Sequence, residues 1–171
     1  MTLEEFKTEV LPLKDKLYRL AFRLLNNREE ARDTIQEVML RLWSKGEDLS
    51  QYRNIGAFAL TMTRNLCLDK LKSSKWKESS FEEGYHDRAD NTASAKMENK
   101  DTVRVVKSII NGLPEQQKTV IQLRDIEELD FDEIAEIMQL SLNNIRVLLS
   151  RARKKVRDEL IKIHTYEFSK N

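Results

Sequence analysis

Apolar residues return every third or fourth position along most of this chain, and that period leaves little room for any fold but helices packed on helices. The longest stripe is Ile145, Leu148, Leu149, Ala152, Val156, Leu160 and Ile163, with charged and polar residues filling most positions between them. Earlier stripes run through Leu13, Leu17, Leu20, Ala21, Leu24 and Leu25, and through Ala31, Ile35, Val38, Met39 and Leu42. A further one, Ile55, Phe58, Ala59, Met62 and Leu66, has Leu60, Cys67 and Leu71 outside its face, which predicts a helix covered on more than one side. Gly 4 and Pro 2 are too few for a turn-rich all-β fold. The expected fold class is all-α.

Stop and start signals divide the stripes. Pro12 suits a first helical turn. Asn26-Asn27 breaks the pattern, and Asn27 with Glu30 has the spacing of a capping box. A polar loop from Glu47 to Asn54 precedes the third helix, and Asn111-Gly112 ends the stripe of Val103, Val106 and Ile110. Leu113-Pro114 opens the next helix, whose apolar face is Val120, Ile121 and Leu123. Asp130 with Glu133 caps a short helix, Phe131 to Met138. Gln139-Leu140-Ser141 then makes a tight turn, with Ser141 as the next N-cap.

Between Ser73 and Asn91 the period disappears and solvating side chains dominate, as in a tether. The expected organisation is two small helical domains, 1–74 and 95–171, joined by a flexible linker, 75–94. Each half is expected to fold separately and to move freely against the other. Trp76, Phe81 and Tyr85 within the linker are either anchors onto a partner or incidental loop aromatics.

Several function classes are disfavoured. One cysteine, Cys67, forms no internal disulfide, and His86 and His164 have no metal-ligand spacing. No nucleophile–base pair, phosphate-cradling glycine loop or paired carboxylates emerge, so no enzyme, cofactor or metal is expected. The amino terminus lacks an apolar signal-like run, and no apolar stretch approaches the ~20 residues of a membrane span, so a cytoplasmic protein without membrane insertion is expected.

A formal net charge of +1 conceals a steep local contrast. Residues 101–140 hold 4 basic and 9 acidic residues, whereas 141–171 hold 8 and 3. A short capped helix, a tight turn and a basic amphipathic helix form the helix-turn-helix pattern. The residues that would face the major groove are Asn143, Asn144, Arg146, Val147, Ser150 and Arg151. Arginine pairs bidentately with guanine, asparagine with adenine, and valine meets a thymine methyl. Arg153, Lys154 and Lys155 suit phosphates. The same pattern also describes a solvated amphipathic helix with no ligand.

Leu113 to Val120, Phe131 to Ile137, Ser141 to Val147 and Arg151-Ala152-Arg153 resemble domain four of the bacterial sigma factors, the module that reads the promoter −35 element. Ala31-Arg32-Asp33-Thr34-Ile35-Gln36-Glu37-Val38 with Leu42-Trp43 resembles the polymerase-binding helix of sigma domain two. Phe58 with Arg64-Asn65 and Asp69 to Lys72 resembles the adjacent helix that handles the −10 element. The two motif sets, in this order, with no acidic inhibitory region ahead of them and no long insertion between them, resemble the extracytoplasmic-function (ECF) group.

The resemblance implies partners and roles. Asp33, Gln36, Glu37, Leu40 and Arg41 lie outside the apolar stripe, and an acidic and amide patch beside a leucine suits a basic helical partner. The implied partner is the clamp of the largest subunit of core RNA polymerase. Promoter DNA is the second implied partner, with a −10 base flipped into a pocket beside Leu49 to Asn54. There Gln51, Tyr52 and Arg53 offer edge contacts, stacking and phosphate binding, with Arg64 and Asn65 beside them. Tyr52 pointing inward is the other reading, and Trp43 is expected in the core. Asp69 is expected to pair with a nearby base rather than touch DNA. An anti-sigma factor is the third implied partner. Gln139 stands where the family turn commonly has Gly, Asn143-Asn144 where smaller residues are usual, and Phe58 where Trp is usual. Two rivals remain at this point: a helix-turn-helix regulator whose amino-terminal half dimerises, and a polymerase interaction protein that does not touch DNA.

Overall fold

A computed structural model describes residues 1–73 and 95–169. Among them every regular element is helical. Helix α1, Leu3–Glu5, runs on through a π-helical turn, Phe6–Val10, and a 3-10 turn, Leu11–Leu13. Helices α2 (Lys14–Leu25) and α3 (Arg28–Lys45) follow, then a 3-10 turn at Gly46–Gln51 and α4 (Ile55–Lys72). The second half comprises α5 (Ala95–Asn111), α6 (Glu115–Ile121) extended by a π-helical turn at Gln122–Ile126, α7 (Phe131–Met138) and α8 (Leu142–Ser169). The stretch read as a flexible linker, including Trp76, Phe81 and Tyr85, lies outside the described residues.

Local chemistry accounts for the boundaries. Helix α2 ends at Asn26 in the left-handed region (φ 48), which a short polar side chain tolerates. Asn27 then accepts the Glu30 N–H at 3.0 Å, but the Glu30 carboxylate does not complete the box. It takes Lys70 Nζ at 2.6 Å instead and ties α3 to α4. At α7 both halves of the box form, with Asp130 accepting the Glu133 N–H at 2.8 Å and Glu133 accepting the Asp130 N–H at 3.3 Å. Pro114 is the N-cap of α6, one residue before the position expected of it.

The predicted stripes are the core. Leu17, Leu20, Ala21, Val38, Leu42, Ala59, Leu60 and Cys67 are buried where α2, α3 and α4 meet. Ile134, Ile137, Ile145, Leu149 and Ala152 do the same for α7 and α8, with Val120 and Leu123 from α6 and its extension. Helix α4 is indeed covered on several sides, by α2, α3 and α7. Trp43 is a correction: it lies half-exposed, its ring edge-on to Phe6 at 5.2 Å. The amino-terminal helix supplies that neighbour, and no sequence stripe had announced it.

The two halves, expected to move freely against each other, lie packed together in this structure. Helix α2 packs on α6, and α4 packs on α7. Polar links close the seam. Arg19 donates through Nε and Nη2 to the two carboxylate oxygens of Glu127, both at 2.7 Å. Arg23 reaches Gln122 Oε1 at 3.0 Å and Asn111 Oδ1 at 2.7 Å. Arg64 reaches Glu115 at 3.3 Å, and Asn54 donates to Glu133 at 2.9 Å. Charged side chains that look like solvated helix faces in isolation therefore form one joint.

Candidate nucleic-acid and polymerase interfaces

The helix-turn-helix is built as its sequence suggests. Helix α7 ends at Gln139, which adopts the left-handed conformation (φ 55, ψ 44) where glycine would be unstrained. Ser141 Oγ accepts the Asn144 N–H at 3.2 Å and starts α8. Ile145 and Leu149 sit in the core, so Asn143, Asn144, Arg146, Val147, Ser150 and Arg151 are turned outward and exposed. Arg146 lies 5.6 Å above the Phe131 ring, which Arg124 also covers at 4.8 Å. The aromatic ring is a shelf that steers the guanidinium without neutralising it.

The three following cations differ from one another. Arg153 forms a two-pronged pair with Asp125, at 3.0 Å through Nε and more closely through Nη2, so it braces α8 against the α6 extension and does not stand free for phosphate. Lys154 and Lys155 pair with Asp158 and Glu159 one turn along. Those are solvent-screened surface pairs within one helix, unlike the Arg153 brace between elements.

On α3 the face opposite the core stripe carries Asp33, Gln36, Leu40 and Arg41, all exposed, with Glu37 half-buried among them. Leu40 is 69% exposed, on a helix whose opposite face is packed into the core. Arg41 pairs with Glu37 within the same helix. Exposed acid, amide and apolar groups are thus contiguous.

Beside this face the turn Gly46–Gln51 buries Leu49 and leads into Tyr52, Arg53 and Asn54. A cavity of about 630 Å³ lies there, lined among others by Leu49, Tyr52, Arg53 and Asn54 and by Glu5 and Glu9 of the amino-terminal helix. Tyr52 stacks on Phe58 with centroids 3.9 Å apart, and Lys45 Nζ stands 5.7 Å from the other ring. The inward reading of Tyr52 holds for its face, although the residue stays 37% exposed. Gln51 is exposed and donates to Asp48 at 3.1 Å. Asn65 is exposed on α4, whereas Arg64 is nearly buried and its Nε has no hydrogen-bond partner. Asp69 is exposed and shows no ion pair among the described residues. Sequence reasoning missed Lys45 and the acidic rim from Glu5 and Glu9, because nothing in a one-dimensional pattern brings residues 5, 9 and 45 to residue 52.

These two exposed faces coincide with two matched families. Residues 10–77 match the model described as Sigma-70 region 2, and residues 104–156 match Sigma-70, region 4. The chain belongs to the ECF family of sigma factors. It is 27% identical over 157 residues to the ECF RNA polymerase sigma factor SigW of Bacillus subtilis, covering 86% of this chain and 84% of that one. The RNA polymerase sigma factor SigV of the same organism is 29% identical over 150 residues, covering 87% of each. The fold is that of the sigma factor RpoE of Bartonella quintana, solved with the anti-sigma factor NepR, at a TM-score of 0.76 and 22% identity over 94% of this chain and 99% of that one. CnrH, solved with the cytosolic domain of CnrY, gives 0.68 and 19% over 94% and 90%. As a member of this family the sigma factor is a transcription-initiation factor and not an enzyme. No described helix is long and apolar enough to cross a membrane.

Proposed function

We propose that this sigma factor docks on core RNA polymerase through Asp33, Gln36, Glu37, Leu40 and Arg41. Residues 1–74 are the unit that handles the −10 element, through Gln51, Tyr52, Arg53, Arg64 and Asn65. Residues 95–171 are the unit that reads the −35 element, through Asn143, Asn144, Arg146, Val147, Ser150, Arg151 and Lys154. One observation carries the reading: the two faces left exposed by complete apolar stripes fall in the two matched sigma regions. The work is recognition by shape and hydrogen bonding, with base edges read by α8 and an extruded base received beside Tyr52.

The two similar solved structures contain anti-sigma proteins, by their titles. This supports regulation of the present chain by a protein of the same class, covering the α3 face, α8 or both, in the cytoplasm. Run-off transcription with core polymerase on genomic promoter fragments tests the whole reading. Transcripts starting at discrete sites, dependent on this chain, are the expected result. Binding of DNA by the isolated chain at two-fold symmetric sites, without initiation, is the result that replaces it with a repressor-type regulator.

A further inference from the structure

Three elements converge on one aromatic ring at the head of the helix-turn-helix. Phe131 is the first residue of α7, fixed there by the closed capping box of Asp130 and Glu133. Its side chain is partly buried against the core, with Arg124 of the α6 extension 4.8 Å from the ring and Arg146 of α8 5.6 Å from it. The two guanidiniums are not equivalent. Arg124 is partly buried and donates through Nη1 to the Leu129 carbonyl at 2.7 Å, while the Leu129 N–H donates to the Leu123 carbonyl at 3.0 Å. That arginine is built into the corner between the α6 extension and α7. Arg146 is exposed and makes no hydrogen bond or ion pair among the described residues. Its one neighbour of note is the ring.

We propose that Phe131 is a positioning residue for promoter choice: its π face holds Arg146 ready for a −35 base and away from the phosphates. The inference rests on the reading of α8 as the −35 reader, and adds a residue outside that helix that sets how sharply it discriminates. A ring face attracts a cation but has no lone pair to offer, so the guanidinium donors stay free for two acceptors on a base edge, as on guanine. A carboxylate in the same place would take those donors, as Asp125 takes the donors of Arg153. The nearby Leu129 carbonyl is already held by Arg124, and repulsion between two cations on one ring opposes Arg146 folding back onto the α6 extension. An arginine without the shelf samples more rotamers and loses more freedom on binding. It can also swing to a phosphate, a contact that is the same for every sequence. Loss of the ring therefore removes discrimination before it removes affinity.

The test measures holoenzyme binding to a promoter found by run-off transcription and to templates each carrying one substituted −35 base pair. Discrimination is a ratio of two affinities, so any loss of folded protein cancels. Phe131→Leu keeps an apolar side chain in place and removes the π face. It is expected to lower discrimination about two- to fivefold, as an exposed cation–π contact contributes. The loss should fall at the base pair that Arg146→Ala affects and at no other. Phe131→Tyr keeps the face and should keep the discrimination of the parent. In an Arg146→Ala background, Phe131→Leu should change the ratio no further. Unchanged discrimination in Phe131→Leu overturns the shelf. So does an increase, which would mean that Arg146 leaves the ring to reach DNA, and so does an equal loss with and without Arg146. Failure of the −35 reading looks different: Arg146→Ala then alters discrimination at no position, and the shelf falls with it.

Discussion

Arg146 and Arg151 lie five residues apart, about 140° around an ideal helix, so they flank the strip of Val147 and Ser150. Arg146 sits in the first turns of α8, where a recognition helix penetrates deepest. Arg146→Ala is expected to lose ~1–3 kcal/mol of promoter discrimination with the bidentate base contact. Lys154→Ala should instead weaken all sequences alike and flatten the salt dependence. Holoenzyme binding to a native promoter and to one with a scrambled −35 element, at several salt concentrations, separates the two. Equal losses on both templates for Arg146→Ala would make it a phosphate anchor. At the opposite chemical extreme, burial pushes the Cys67 thiol up to about 12 from an ordinary 9.0. Because the folded value is raised, the protein holds that proton more tightly than the unfolded chain does. Its contribution is complete below pH 9 and fades as pH climbs towards 12. Denaturant midpoints measured across that window should fall more steeply in the parent than in Cys67→Ala, and the native thiol should resist thiol reagents.

Among the helices, α3 shows how one element serves two masters. Its inner stripe holds the core, and its outer face is free for a partner because Leu40 and its polar neighbours cover nothing. Changing Asp33 and Gln36 together to Ala should leave the circular dichroism untouched and weaken core-polymerase binding. Charge-assisted contacts at such a face are worth ~1.5–3 kcal/mol each. A titration against core with unchanged affinity would remove α3 from the interface. The turn between α7 and α8 offers a test of backbone strain. Gln139 occupies a left-handed conformation that costs a non-glycine residue ~1–2 kcal/mol. Gln139→Gly removes that strain at some expense in unfolded-state entropy, so a net gain of ~0.5–1 kcal/mol is expected in denaturant unfolding. A loss would mean that the Gln139 side chain makes a stabilising contact outweighing the strain.

For the whole molecule, the seam between the halves makes a thermodynamic claim. If α2 and α4 are docked on α6 and α7, damage in one half must be felt by the other. Ile134→Ala, at a fully buried position of α7, should cost ~2–5 kcal/mol by transfer and cavity effects. Its unfolding should remain a single transition, with tryptophan fluorescence and far-ultraviolet circular dichroism coinciding. Separation of the two curves in the parent protein would show halves that fold alone. Separation induced by Arg19→Glu, in contrast, is what an opened seam should produce.

The sequence by itself determined the elements and the faces. Apolar period, caps at Asn27, Asp130 and Ser141, and scarcity of glycine and proline are local signals, each acting within a turn or two of helix. They sufficed for the all-α class, for the buried sides of α2, α3, α4, α7 and α8, and therefore for which residues of α3 and α8 stand free. Long-range choices were not written in any such period. Phe6 and Val10 became core only because α3 and α4 offered them a site, and Trp43 moved outward to meet Phe6. Arg153, legible only as one more cation in a basic run, was claimed by Asp125 from another element. The joint of Arg19, Arg23, Asn54 and Arg64 with Gln122, Glu127, Glu133 and Glu115 was decided in three dimensions alone. A charged residue on a helix surface reads the same whether water or a distant carboxylate answers it, and only packing chooses between them.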